Sequence, residues 1–160
     1  EFDHVMTRVE DAWSRIDIYT AAQAIKGFGT GIFPSHWLEM TKSRLYDGNA
    51  AATWTLHRVV RDLLSALTPI CPFFTHYLST TLYGHSVVDA RSFPRLPAGA
   101  VGEGADALKA LTPAVSDFNS AVWKLKKDSG LSLKSPISNI SIPPELSMLE
   151  DSLVRMHSIE

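Results

Sequence analysis

The sequence predicts a mainly α protein: a helical bundle over 1–84, a connector over 85–104, and a small helix–strand–helix α/β appendage over 105–160. Three observations carry that reading. Apolar residues recur at helical spacing along most of the chain. Gly, Pro and Asp-Gly-Asn punctuation falls between those stretches. One segment, 131–142, alternates with period two instead.

Taken in order, Phe2, Val5, Met6, Val9, Trp13 and Ile16 mark a first helix. Asp17 is a natural N-cap for a second, which runs through Ile18, Ala21, Ala22, Ile25 and Phe28. Gly27, Gly29 and Gly31 weaken that helix and Pro34 removes a backbone donor, so a kink or short break is expected before it resumes from Ser35 to about Tyr46. Asp47-Gly48-Asn49 is a turn, and Ala50–Leu67 is a further helix with Leu56, Val59, Val60, Leu63, Leu64 and Leu67 as its stripe. Pro69 and Pro72 bend the chain into another helix ending near Tyr83, with Gly84 as its C-terminal cap. After the Pro-, Gly-, Ala- and Ser-rich connector, Ala105–Ser129 returns to helix, dented by Pro113. Gly130 stops it. Leu131, Leu133, Ile137, Ile140 and Ile142 read as strand, and Pro143-Pro144 open a last helix through Leu146, Leu149, Leu153 and Met156.

Composition narrows the classes. Of 160 residues, 45% are apolar and 20% charged, a globular and not a disordered balance. A formal net charge of -2 supplies no global attraction to nucleic acid or acidic membrane, so an anionic partner needs a local basic patch. No run of 18 apolar residues is present to span a membrane, and no secretory signal stands at the start. The single cysteine, Cys71, forms no internal disulfide; a reducing compartment, the cytoplasm, is expected. The sequence begins inside a helical pattern, as a piece of a longer chain would.

Catalytic motifs are not found. Gly27-Phe-Gly29-Thr-Gly31 superficially resembles a phosphate loop, but no strand precedes it and no Lys-Ser/Thr pair follows; a flexible or closely packed helix segment is the plainer reading. His36 and Glu39 share a helical face as two metal ligands would, yet no second Glu-x-x-His pair matches them. Cys71 and His76 lie a turn apart, and a buried structural cysteine is expected. No catalytic or metal-binding residue is therefore assigned. The basic residues are more informative: Lys42 and Arg44 close one helix, Arg58 and Arg61 lie three apart on the next, and Lys124, Lys126 and Lys127 crowd the end of a later one, with Lys134 following. Helix-terminal lysines are stabilised by the dipole, but three within four residues also suit phosphates. Trp37, Tyr46 and Trp54 either fill the core or stack on unpaired bases.

Three segments together resemble one family. His36-Trp-Leu-Glu-Met-Thr-Lys-Ser-Arg-Leu-Tyr46 resembles the aromatic-hydrophobic-Glu-x-x-Lys-x-Arg-Leu segment in the anticodon-binding helical bundle of class I aminoacyl-tRNA synthetases. Leu63-Leu-Ser-Ala-Leu-Thr-Pro-Ile-Cys-Pro-Phe-Phe-Thr-His-Tyr-Leu78 is similar to that family's leucine-rich helix followed by Pro-x-x-Pro-Phe and a second helix. Ala121-Val-Trp-Lys-Leu-Lys-Lys-Asp-Ser-Gly-Leu-Ser-Leu133 resembles the helix-turn-strand after the bundle in valyl-tRNA synthetases, and Leu82-Tyr-Gly-His-Ser-Val87 leans toward archaeal ones. The sequence departs from the pattern at His76, where the family usually has Glu, and at Phe93, where it usually has Trp.

The resemblance implies a tRNA-binding, anticodon-recognising part of a valine-tRNA ligase, with the first family helix upstream of residue 1 missing. Lys42, Arg44, Arg58, Lys124, Lys126 and Lys127 are the tRNA-binding candidates. It also implies catalytic and editing domains elsewhere in the same chain. ATP and magnesium are expected for the full-length enzyme, no cofactor for this part. A valine tRNA is the implied partner, no membrane is involved, and a monomer is expected. The competing expectation is a helical protein-interaction module without catalytic activity.

Overall fold

A computed structural model describes residues 1–85, 93–94 and 104–160, and these fold as two compact units. The first comprises Glu1–Gly31 and the helices from Ala50 onward; the second comprises Ile32–Asn49 and the C-terminal helices. The chain is therefore divided differently from the expected 1–84 bundle: residues 32–49 fold with the C-terminal part. Apart from 85, 93–94 and 104, the expected connector lies outside the described residues.

In the first unit, α1 (Phe2–Ser14) and α2 (Ile18–Gly27) form a helical hairpin, and α4 (Ala50–Leu67) packs on both and also against α5 (Pro72–Tyr83). Phe2, Val5, Met6, Val9 and Ala12 of α1 are buried with Ala21 and Ile25 of α2 and Val59 and Leu64 of α4. The Asp17 cap forms as expected: its carboxylate accepts from Thr20 N at 3.0 Å, and this bond holds the carboxyl below the ordinary Asp range. Gly84 closes α5 with φ 72° and donates to the Thr80 carbonyl, the left-handed cap that glycine takes without strain. The inner side of α5 is small and polar rather than apolar. Thr75 and Ser79 are fully buried; Thr75 Oγ1 bonds back to the Cys71 and Pro72 carbonyls and meets Thr68 Oγ1 at 3.2 Å.

Between α2 and α3 (Glu39–Tyr46) the structure has no break. Phe28–Leu38 stays helical in the wider π form, with i→i+5 spacing, and Pro34 lies inside it. The physical reason is local. Pro34 has no N–H for an α-type bond, and the permissive glycines accept the altered backbone of a wider turn, so the turn widens instead of opening. The glycines are not close-packed either: a Cβ on Gly27, Gly29 or Gly31 would meet nothing within 4 Å.

The second unit is built on α7 (Thr112–Asp128), preceded by the short α6 (Ala105–Ala110); the dent expected from Pro113 is the break between them at Leu111. Val115, Phe118 and Val122 of α7 form the core with Leu146 of a 3-10 turn (Pro144–Leu149) and Leu153 of α8 (Glu150–His157). Met40 of α3 and Ile140, Ile142, Leu149 and Ile159 pack around it. The expected strand is not formed: among the described residues there is only an isolated parallel bridge, Ile137 with Ile159. Asn139 explains why. Its φ of 63° breaks the extended path between Ile137 and Ile140, so the alternating isoleucines reach the core from an irregular segment.

Candidate nucleic-acid interface

The basic residues picked out from the sequence divide into exposed cations and internal pins. In the second unit, Lys124 and Lys127 are exposed near the C-terminus of α7, three apart and so on one face. Lys126, between them, turns inward and is completely buried. Its Nζ donates to the carbonyls of Leu133 at 2.9 Å, Ser135 at 2.8 Å and His157 at 2.7 Å. Three acceptors saturate the three donors of an ammonium group. Burial lowers the Lys126 pKa, while the carbonyl cage favours the protonated form. The expectation that Lys126 touches RNA is thus corrected: its charge is spent tying the 131–135 segment and the end of α8 to α7.

A second buried polar chain adjoins it. His157 Nε2 lies 2.8 Å from Asn119 Oδ1, and Asn119 Nδ2 lies 3.0 Å from His36 Nδ1. His36 Nε2 in turn reaches Ser116 Oγ at 3.3 Å. The donors align in one direction if both imidazoles are neutral: His157 donates to Asn119, Asn119 to His36, and His36 to Ser116. Burial lowers the pKa of His36; burial and, secondarily, the Lys126 ammonium push His157 down to about 4. Trp123 stacks on His36 with centroids 5.6 Å apart and meets His157 edge-on at 5.9 Å. The sequence left His36 without a role; the structure makes it a link between the π segment and α7. No periodicity signals such a pairing across 83 residues.

Lys42 and Arg44 are exposed on α3. The Lys42 ammonium lies 3.0 Å from Glu39, which by hydrogen bond and charge raises its pKa. So Glu39, once a possible metal partner of His36, pairs with Lys42 instead. Tyr46, at the end of α3, is 81% exposed, and Asp47 loosely holds Arg155 of α8 at 3.9 Å. Arg155 is a further exposed cation at the α3–α8 pairing, one that the sequence did not single out.

Arg58 belongs to the first unit and is a pin. Its guanidinium pairs with Asp3 of α1 and with Asp62 at 3.3 Å, and lies over the Phe2 ring 5.3 Å from the centroid. Burial raises the Asp62 pKa and the neighbouring Arg58 and Arg61 charges oppose that shift. With only 17% of its side chain exposed and two carboxylates satisfied, Arg58 is placed to join α1 to α4 rather than to meet a phosphate. Arg61, one turn on, is exposed. Among the described residues no cluster of three or more His, Cys, Asp or Glu is arranged to hold a metal ion, and no helix is long and apolar enough to cross a membrane. Cys71, expected to be buried, is exposed at the entrance to α5.

The described residues thus form helices held by buried polar pins, with cations left exposed. Residues 1–141 match the profile of the anticodon-binding domain of tRNA ligases, and the chain belongs to that family. Several relatives are valine–tRNA ligases of archaea. The chain is 34% identical over 97% of its length to the valine–tRNA ligase of Pyrobaculum aerophilum, and 31% identical over 88% to that of Aeropyrum pernix. It is also 31% identical over 92% to the valine–tRNA ligase of Methanothrix thermoacetophila. It spans only about a fifth of the length of these curated relatives, 20%, 18% and 17% respectively.

Proposed function

We propose that this chain binds the anticodon arm of a valine tRNA and positions it for aminoacylation performed by other parts of a valine–tRNA ligase. The observation that supports this most is the family match over residues 1–141, joined by archaeal valine–tRNA ligase relatives that align with nearly the whole chain. Exposed Lys42, Arg44, Lys124 and Lys127 are the phosphate contacts in this reading, and exposed Tyr46 is a surface for an unpaired base. Phosphate contacts set the orientation, and base contacts in the unstacked loop set identity. Binding energy gained at the anticodon end then favours the correct substrate at a distant reacting end.

Valine activation with ATP and magnesium belongs to the longer protein in this proposal, and no residue here is assigned to either. The protein acts in the cytoplasm as a monomer. Competition titration of a valine tRNA transcript against the same transcript with a substituted anticodon tests the reading. Weaker binding of the substituted tRNA supports it. Equal binding of both reduces the function to a general RNA surface. The exposed apolar face of α5 (Phe73, Phe74, Tyr77) favours a second reading, a protein contact on that face. Lys42→Ala with Lys124→Ala separates the two, since a protein contact on α5 leaves these lysines without effect on any ligand, whereas the tRNA reading has them weaken tRNA binding.

A further inference from the structure

Arg58 and Arg61 stand three apart on α4, but folding gives them different surroundings. Arg58 is neutralised by Asp3 and Asp62. Arg61 is exposed, with its guanidinium carbon over the Tyr83 ring, 6.0 Å from the centroid. Tyr83 comes from the last turn of α5, and its hydroxyl lies 3.3 Å from His57 Nδ1 with the two rings edge to face at 5.8 Å. His85 follows the left-handed turn at Gly84, which brings its ring back to 6.2 Å from that of Tyr83. His85 Nδ1 donates to the Tyr83 carbonyl at 3.0 Å, and the buried Ser79 hydroxyl donates to the His85 carbonyl at 2.7 Å. One bond thus fixes the His85 imidazole and the other its backbone. Trp54, His57 and Arg61 fall at i, i+3 and i+7, one face of α4, and the Trp54 indole is 61% exposed.

A guanidinium, two imidazoles and a phenol hydroxyl gather around Tyr83, on the α4 face that also carries the exposed Trp54, and the His57–Tyr83 pair joins residues 26 apart that no local motif connects. Fork-shaped and ring N–H donors suit the oxygens of a phosphodiester, and a free indole face suits an unpaired base. We propose that His57, Arg61, Tyr83 and His85, together with Trp54, bind one nucleotide of single-stranded RNA, with Arg61 and the imidazoles on the phosphate and Trp54 against the base. The site rests on the tRNA-binding reading and names the place in the N-terminal unit where an unpaired segment of that RNA is held.

Fluorescence anisotropy of labelled valine tRNA, of a short oligouridylate and of a paired RNA duplex, each over a salt series, tests it. Arg61→Gln is expected to weaken the tRNA and the oligouridylate about tenfold and to lower the salt slope by about 0.7, as expected when one single-strand phosphate is no longer neutralised. Arg61→Lys keeps the slope. Trp54→Leu is expected to weaken both ligands about tenfold with the slope unchanged, because stacking releases no counterions. Helical circular dichroism should be the same in all three variants. If the wild-type protein binds tRNA but Arg61→Gln and Trp54→Leu bind equally well, the site is wrong and the tRNA reading survives. Duplex bound as tightly as oligouridylate overturns the stacking role. If the wild-type protein binds no tRNA even at low salt, the reading and the site fail together.

Discussion

Lys126 and Lys127 are neighbours in sequence with opposite fates, and the difference is one of geometry. Adjacent helical residues lie about 100° apart, so one lysine faces the core while the next faces water. Lys126→Met would leave three carbonyls without their donor, the one at His157 fully buried, and we expect it to cost roughly 3 kcal/mol in urea unfolding. Lys127→Ala, at the surface, should change stability by less than about 0.5 kcal/mol. Equal effects would remove the pin. His157 makes a pH prediction. Its folded pKa is pushed from 6.5 to about 4, so between those values the unfolded chain takes up a proton that the folded chain refuses. Stability should therefore fall as pH drops from about 6.5 toward about 4, and that slope should flatten in His157→Gln. An unchanged slope would mean that His157 is protonated in the fold. These roles were not legible beforehand: a lysine and two histidines read the same whether buried or exposed until their partners, 31 and 38 residues away for His157, are known.

At the level of elements, the sequence was most legible where one local signal decides the outcome. The Asp17 cap and the Gly84 cap both form as their residue types require. Where two local signals compete, the reading missed. Period-two isoleucines argued for a strand at 137–142, but a left-handed Asn139 and the absence of a partner strand among the described residues left one bridge. Gly and Pro argued for a kink or short break at 27–34, and the α form does give way there, to wider π turns rather than to an opening. Open space around Gly29 gives a test at this scale. Gly29→Ala meets no atom within 4 Å and removes freedom from the unfolded chain, so it should stabilise by about 0.4–1 kcal/mol. Destabilisation would show that the π turn depends on glycine itself.

For the whole molecule, the family resemblance was visible in three segments, while the division of the cations into exposed and buried ones was not. Of six cations named from the sequence, four lie on the surface and two are internal pins, because charge alone does not tell a phosphate ligand from a structural ion. If the exposed four hold RNA, Lys124→Ala with Lys127→Ala should lower the salt slope of tRNA binding by about 0.7–0.9 for each phosphate no longer neutralised, with the helix content unchanged. An unchanged slope would move the interface elsewhere. The central claim, that this chain holds the anticodon arm, is met most directly by chemical footprinting of a valine tRNA on the protein. The account predicts protection concentrated in the anticodon arm, with the acceptor end as reactive as in free tRNA. Protection of the acceptor end with a fully reactive anticodon loop would contradict it.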